Sequence, residues 1–258
     1  MKIVVLVKEV PDTYGDRELS LETGRADREA SEKVLDEISE RALEAALQYA
    51  DGAADTEVVL LSVAPETAAA TIRKGLAMGA ASAVHVVDEG LLGADVGLTA
   101  EVIAAALKRV GFDLVVAGNK STDGAGGLMA SMLSELLDAP ALTNLNAVEI
   151  GADAVSGTRA TDGATMQVTA PLPAVISITE ALPDARFPNF KGIMAAKKKP
   201  FETLTMADLG IDPEDHSAAR SIMIGVSEKP PREAGTKIND EGDAGDKLAE
   251  YLIQNRLA

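Results

Sequence analysis

The chain has 258 residues, and its 24 Lys+Arg against 41 Asp+Glu leave a formal net charge of −17, which excludes a nucleic-acid binder because phosphate backbones demand a basic face. A hydrophobic fraction of 47 % supplies one large or two small domains and excludes a disordered or fibrous class. With no Cys and no Trp, disulfides, thiolate nucleophiles, iron–sulfur ligation and Cys-based zinc sites are excluded, and 3 % aromatic residues leave few rings to stack a flavin or a base.

Residues 1–8 (MKIVVLVK) read as a first strand, too short for a signal sequence and followed at once by charge, which places the protein in the cytoplasm. Residues 11–28 are rich in Asp, Glu, Thr and Gly and read as an exposed excursion. Val34, Leu35, Ile38, Ala42, Ala45, Ala46 and Tyr49 then recur at helical spacing, so an amphipathic helix is predicted, capped at Ser31 or Asp36 and ended before Gly52. Residues 57–63 (EVVLLSV) form a continuous apolar run, as a strand buried on both faces requires. A helix over 65–78, a strand over 83–87, a helix over 99–110, a strand over 113–117 and a helix over 127–137 follow. Strand and helix alternate at βαβ spacing, so the fold class is α/β, a doubly wound, mainly parallel sheet.

The rhythm changes after residue 140. Short strands over 148–150, 166–169 and 174–178 have no helix between them and are expected to be antiparallel additions to that sheet or to a small flanking one. Residues 227–246 combine Pro, Gly and charge and read as a linker. Beyond it, Leu248, Tyr251, Leu252 and Leu257 share one face of a terminal helix of about twelve residues, which is marginal alone and must dock on its own domain or a partner. The chain is therefore expected to divide into a main α/β domain, which includes the antiparallel additions, and a C-terminal arm. No apolar run approaches the roughly eighteen residues of a membrane span, so no membrane insertion is expected.

Ligands of an open parallel sheet bind beyond the carboxyl ends of its strands, where strand order reverses. The segment best suited to that place is the loop Gly118, Asn119, Lys120, Ser121, Thr122, Asp123, Gly124, Ala125, Gly126, Gly127, which follows a buried strand and enters a helix. Its glycines let backbone N–H groups approach a phosphate, and its hydroxyl, amide and cationic side chains add partners; the bland alternative is a strand–helix turn that binds nothing. The loop is neither a Walker motif nor a Rossmann fingerprint, and no SGGxDS-type loop, HExxH or GxSxG elbow occurs. His85 and His216 are the two histidines, so a His-based metal site or proton relay would rest on that pair alone. The missing general bases favour binding over catalysis.

A second unusual segment, residues 185–200 (ARFPNFKGIMAAKKKP), places Phe190, Ile193 and Met194 beside Lys191, Lys197, Lys198 and Lys199 in an otherwise acidic chain. Either the apolar residues are core and the lysines a solvated face, or an apolar anchor ringed by charge forms a transient protein contact.

The opening VLVKEVPD, the stretch TIRKGLAMGA at 71–80 and the run from Leu172 through RFPNFKGIMAAKKKP to ADLGI at 207–211 resemble the beta subunit of electron transfer flavoprotein over about residues 1–213. The resemblance implies an adenine-nucleotide alpha-hydrolase-like sheet and a non-catalytic subunit paired with an alpha subunit that makes most contacts to a redox-active FAD. Such a heterodimer carries electrons from flavoprotein dehydrogenases, such as acyl-CoA dehydrogenases, to a membrane quinone oxidoreductase. The beta subunit holds AMP in simple carriers and a second FAD in bifurcating relatives. By position, the resemblance implies nucleotide contacts at Leu6, at Asp36 through Ser39, at Val63 and along Gly118–Gly127. It also implies a nucleotide-binding domain over 1–213 with a dehydrogenase-recognition loop over 190–199 anchored by Phe190. The C-terminal arm over 214–258 is a separate hypothesis, a clasp on the alpha subunit through its terminal helix. The family's phosphate loop usually carries several carboxylates, an Asn and a Gln-Thr-Gly. Here it is shortened, which leaves AMP, FAD or no nucleotide open, with AMP favoured by the exposed glycine amides. The fold and loop also admit a stand-alone adenine-nucleotide-binding enzyme or stress-type sensor.

Overall fold

A computed structural model describes residues 1–15, 18–212, 215, 221–232 and 234–257. In chain order the elements are β1 (Lys2–Leu6), β2 (Glu9–Pro11), β3 (Lys33–Leu35), α1 (Glu37–Gly52), β4 (Glu57–Val63), α2 (Ala69–Met78), β5 (Ser82–Val86), α3 (Val96–Val110), β6 (Leu114–Gly118), α4 (Met129–Leu137), β7 (Ala141–Leu145), β8 (Ala147–Ile150), β9 (Ala154–Thr161), β10 (Ala164–Pro171), β11 (Ala174–Ile178), α5 (Phe190–Ala196), β12 (Phe201–Leu204) and α6 (Ala244–Gln254). Seven strands make one sheet in the order β12-β5-β4-β1-β6-β11-β7, and every pairing in it is parallel. Two compact units are present, Met1–Gly225 and Val226–Ala258.

Period-two alternation explains why the apolar runs are continuous. Ile3, Val5, Val58, Leu60, Leu114, Val116 and Ile176 pack on the face covered by α1 and α2. Val4, Val59, Leu61, Val115 and Val175 pack on the face covered by α3 and α4. Each such side chain, fully withdrawn from water, contributes about 1.5–3 kcal/mol.

Several expectations are corrected. Val34 and Leu35 belong not to a helix but to β3, which pairs antiparallel with β2; the helix starts after Asp36, not Ser31. The hydrophobic period misled because Leu35 is buried as a strand residue directly before the helical stripe begins. Residues 174–178 are no antiparallel addition: β11 runs parallel between β6 and β7, inside the main sheet. The antiparallel strands beyond residue 140 are β8, β9 and β10, a separate three-stranded sheet. The strands β7 and β12 and the helix α5 were not anticipated, being short and, in β12, half polar. In the second unit α6 begins at Ala244, inside the stretch expected to be linker, with a Lys247–Asp243 pair at 2.9 Å along its first turn. Among the described residues no helix is long and apolar enough to cross a membrane.

Candidate functional site

Chain order reverses at β1: β4 and β5 lie on one side and β6, β11 and β7 on the other. Register places Val5 beside Val116 and Leu6 beside Leu61, so Leu6 and Gly118 end together at the carboxyl edge. The Gly118–Gly127 loop leaves β6 at this reversal, the position where open α/β sheets bind ligands. Val63 ends two strands away, across β1, and Ser39 is buried in the first turn of α1.

Two contacts hold the loop against the start of α1. An added Cβ on Gly118 would lie 2.6 Å from Cγ2 of Ile38, so only glycine lets β6 and the helix approach this closely. The amide of Thr122 donates to Oδ2 of Asp36 at 2.9 Å. Asp36 occupies the helix-cap position, yet its carboxylate makes no cap bond within its own helix and reaches the loop instead. It is 1 % exposed, and its Oδ1 has no hydrogen-bond partner among the described residues. Burial, helped by the nearby Asp123 charge, outweighs the Thr122 and Ile38 amides and the Lys8 cation and raises its pKa above the ordinary 3.8.

Asp123 is the loop's second fixed point. Its side chain is 7 % exposed and accepts from Lys8 Nζ at 2.8 Å and Arg28 Nη2 at 2.5 Å. Burial pushes this carboxyl up, but the bonds from Lys8 and Arg28 outweigh it and hold the group well below the usual carboxylate range. Ser121 Oγ accepts from the Gly124 amide at 3.3 Å, and Asn119 Oδ1 from the Lys120 amide at 2.9 Å. Gly124, Gly126 and Gly127 are exposed; Gly126 faces open space and Gly127 needs its positive φ of 68°. Lys8 and Arg28 were missed as site residues. Lys8 lies two residues beyond the end of β1, a signal that could have been used, whereas Arg28 sits in an excursion that returns to the loop and left no pattern.

The second candidate region is a helix, not the expected loop. Asn189 caps α5 by accepting the Gly192 amide at 2.8 Å. Phe190 is 80 % exposed, Ile193 and Met194 are half exposed, and Lys191, Lys197 and Lys198 project beside them. Phe187, 93 % exposed, adds a ring that composition did not single out. Lys199 departs from the group: its ammonium donates to the Leu76 carbonyl at 2.8 Å and the Ala80 carbonyl at 2.6 Å, away from the apolar face.

His85 is buried, its Nε2 lies 3.0 Å from the Ala64 carbonyl, and burial lowers its pKa; His216 lies outside the described residues. Among the described residues no cluster of His, Asp or Glu could hold a metal.

A family model described as electron transfer flavoprotein domain matches residues 23–209. The chain is 44 % identical to the electron transfer flavoprotein subunit beta of Mycobacterium bovis, over 99 % of this chain and 98 % of that protein. It is 31 % identical to the subunit beta of Bacillus subtilis over 93 % of each chain, and 31 % identical to the caffeyl-CoA reductase-Etf complex subunit CarD of Acetobacterium woodii over 98 % of this chain and all of that one. The chain therefore belongs to the electron transfer flavoprotein beta-subunit family.

Proposed function

From that membership we propose that this chain is the beta half of a cytoplasmic heterodimer that takes electrons from flavoprotein dehydrogenases, acyl-CoA dehydrogenases among them, and passes them towards a membrane quinone oxidoreductase. The observation that carries it is α5: an exposed Phe190 on a capped helix, ringed by Lys191, Lys197 and Lys198, in a chain of net charge −17. An apolar anchor with a charged rim suits contacts that must form and release on every turnover. FAD, held mainly by the alpha subunit, stores and releases the electrons when bound. This chain's own work is to hold the scaffold, orient the docking helix and bind a static nucleotide.

The loop residues fit that nucleotide. Lys8 and Arg28, both held on Asp123, place cations beside the exposed Gly126 and Gly127, and this combination suits a phosphate group. The buried Oδ1 of Asp36 offers an acceptor for a ribose or base donor. AMP is accordingly the nucleotide assigned, with Leu6, Asp36, Ser39, Val63 and Gly118 to Gly127 around it. The second unit, with α6, is assigned as a clasp on the alpha subunit.

The test is to co-express the chain with an alpha subunit, measure flavin content and reduction by an acyl-CoA dehydrogenase, and identify released nucleotide by mass spectrometry. A flavin-free complex, or one the dehydrogenase cannot reduce, overturns the carrier reading. ATP turnover by the isolated chain would instead support a stand-alone adenine-nucleotide enzyme.

A further inference from the structure

Lys199 ends the lysine run, but its geometry differs from that of its neighbours. Lys197 and Lys198 are exposed, while Lys199 is partly buried, with its ammonium on the carbonyls of Leu76 and Ala80. Those two oxygens close the C-terminal end of α2, where unpaired carbonyls and the negative end of the helix dipole gather. Two short charge-assisted bonds there are worth more than a solvated ion pair.

The same end of α2 carries α5. Arg73 donates from Nη1 to the Ala196 carbonyl at 3.1 Å, and its guanidinium lies 4.6 Å from the Phe201 ring centroid. A Cβ on Gly192 would fall 2.3 Å from the Ala77 carbonyl oxygen, so α5 rests directly on the α2 backbone. A helix of seven residues has no stability of its own, so this mount decides whether and where it forms.

We propose that Lys199 is a positioning residue: it ties the chain after α5 to the C-terminal turn of α2 and so holds Phe190 and the exposed Lys191, Lys197 and Lys198 in their docking geometry, without itself meeting the partner. The proposal rests on the docking reading of α5 for its kinetic consequence, and on the structure alone for its mechanical one.

The test uses purified heterodimer with Lys199→Met, Lys199→Arg, Lys198→Met and Phe190→Ala. Amide hydrogen exchange across residues 190–196 should quicken about tenfold in Lys199→Met, as a local opening becomes easier, and remain at the wild-type rate in Lys198→Met. With an acyl-CoA dehydrogenase as donor, Lys199→Met should raise KM about three- to tenfold at unchanged kcat and keep the wild-type salt dependence. Lys198→Met should weaken that salt dependence, and Lys199→Arg should restore much of the KM. Wild-type exchange in Lys199→Met overturns the proposal, as does a KM change that comes with the loss of salt dependence expected of a surface cation. If Phe190→Ala and Lys198→Met leave KM untouched, the docking reading fails by itself, and the exchange rates still decide the role of Lys199.

Discussion

Arg186 and Glu44, 142 positions apart in sequence, form a two-pronged ion pair: Nε lies 2.7 Å from Oε2 and Nη2 2.9 Å from Oε1. The Arg186 amide adds a third bond to Oε2 at 3.1 Å, and Asp51 accepts a fourth from Nη2 at 2.9 Å. The clamp joins α1 to the segment leading into α5, so the helix whose start meets the Gly118–Gly127 loop is also the one that anchors the approach to α5.

Breaking this clamp should be costly. Glu44→Ala is expected to destabilise the chain by about 1–2 kcal/mol in denaturant unfolding, since it removes the one buried carboxylate of a network whose Arg186 and Asp51 stay partly in water. Burial pushes the Glu44 carboxyl up, but the Arg186 bonds outweigh it and the pKa falls below the ordinary 4.5. A lowered folded pKa contributes stability above pH 4.5 that is lost as the pH falls below it. The variant should therefore show a flatter acid limb than the wild type; parallel limbs would refute the assignment.

Asp36 has the opposite sign. Its raised pKa means that its contribution is complete below pH 3.8 and is lost as the pH rises through the folded value. Asp36→Asn cannot ionise, so its melting temperature relative to wild type should improve between pH 4 and pH 7. A constant difference across that range would show that burial of this carboxylate has no energetic consequence.

At Gly118, alanine would drive a Cβ to 2.6 Å from the stiff side chain of Ile38. Gly118→Ala should cost about 1–3 kcal/mol and reduce the nucleotide retained through purification. Gly126→Ala, in open space, serves as the comparison and should change neither quantity.

For Phe190→Ala the expected result is a fall of about tenfold or more in kcat/KM for reduction by the dehydrogenase, at unchanged FAD content. Unaltered kinetics would remove Phe190 from the docking surface.

Deleting residues 227–258 should loosen the heterodimer on gel filtration. An unchanged complex would reject the clasp assigned to α6.

Local chemistry made much of the architecture legible. Continuous Val/Ile/Leu runs marked β1, β4 and β6 because a strand buried on both faces has no polar side to show, amphipathic spacing marked α1, and alanine richness marked α3. The Gly118–Gly127 loop was visible because glycine is rare where a strand feeds a helix without a backbone reason. Periodicity could not assign β11, since a short run of four apolar residues around Ser177 looks alike in parallel and antiparallel company. Nor could it find α5, whose seven residues are helical only because α2 supports them.

The sequence by itself determined the class of fold, the family, the glycine loop and the gathering of cations beside Phe190, because each depends on residues close together along the chain. Only the tertiary structure decided how those charges are used. It joined Arg28 and Lys8 to Asp123 across 95 and 115 positions, turned the Asp36 carboxylate from its own helix to the loop, and withdrew Lys199 from the surface onto the end of α2. Ion pairs and close backbone approaches of this kind are selected by distance in space, which linear spacing does not encode.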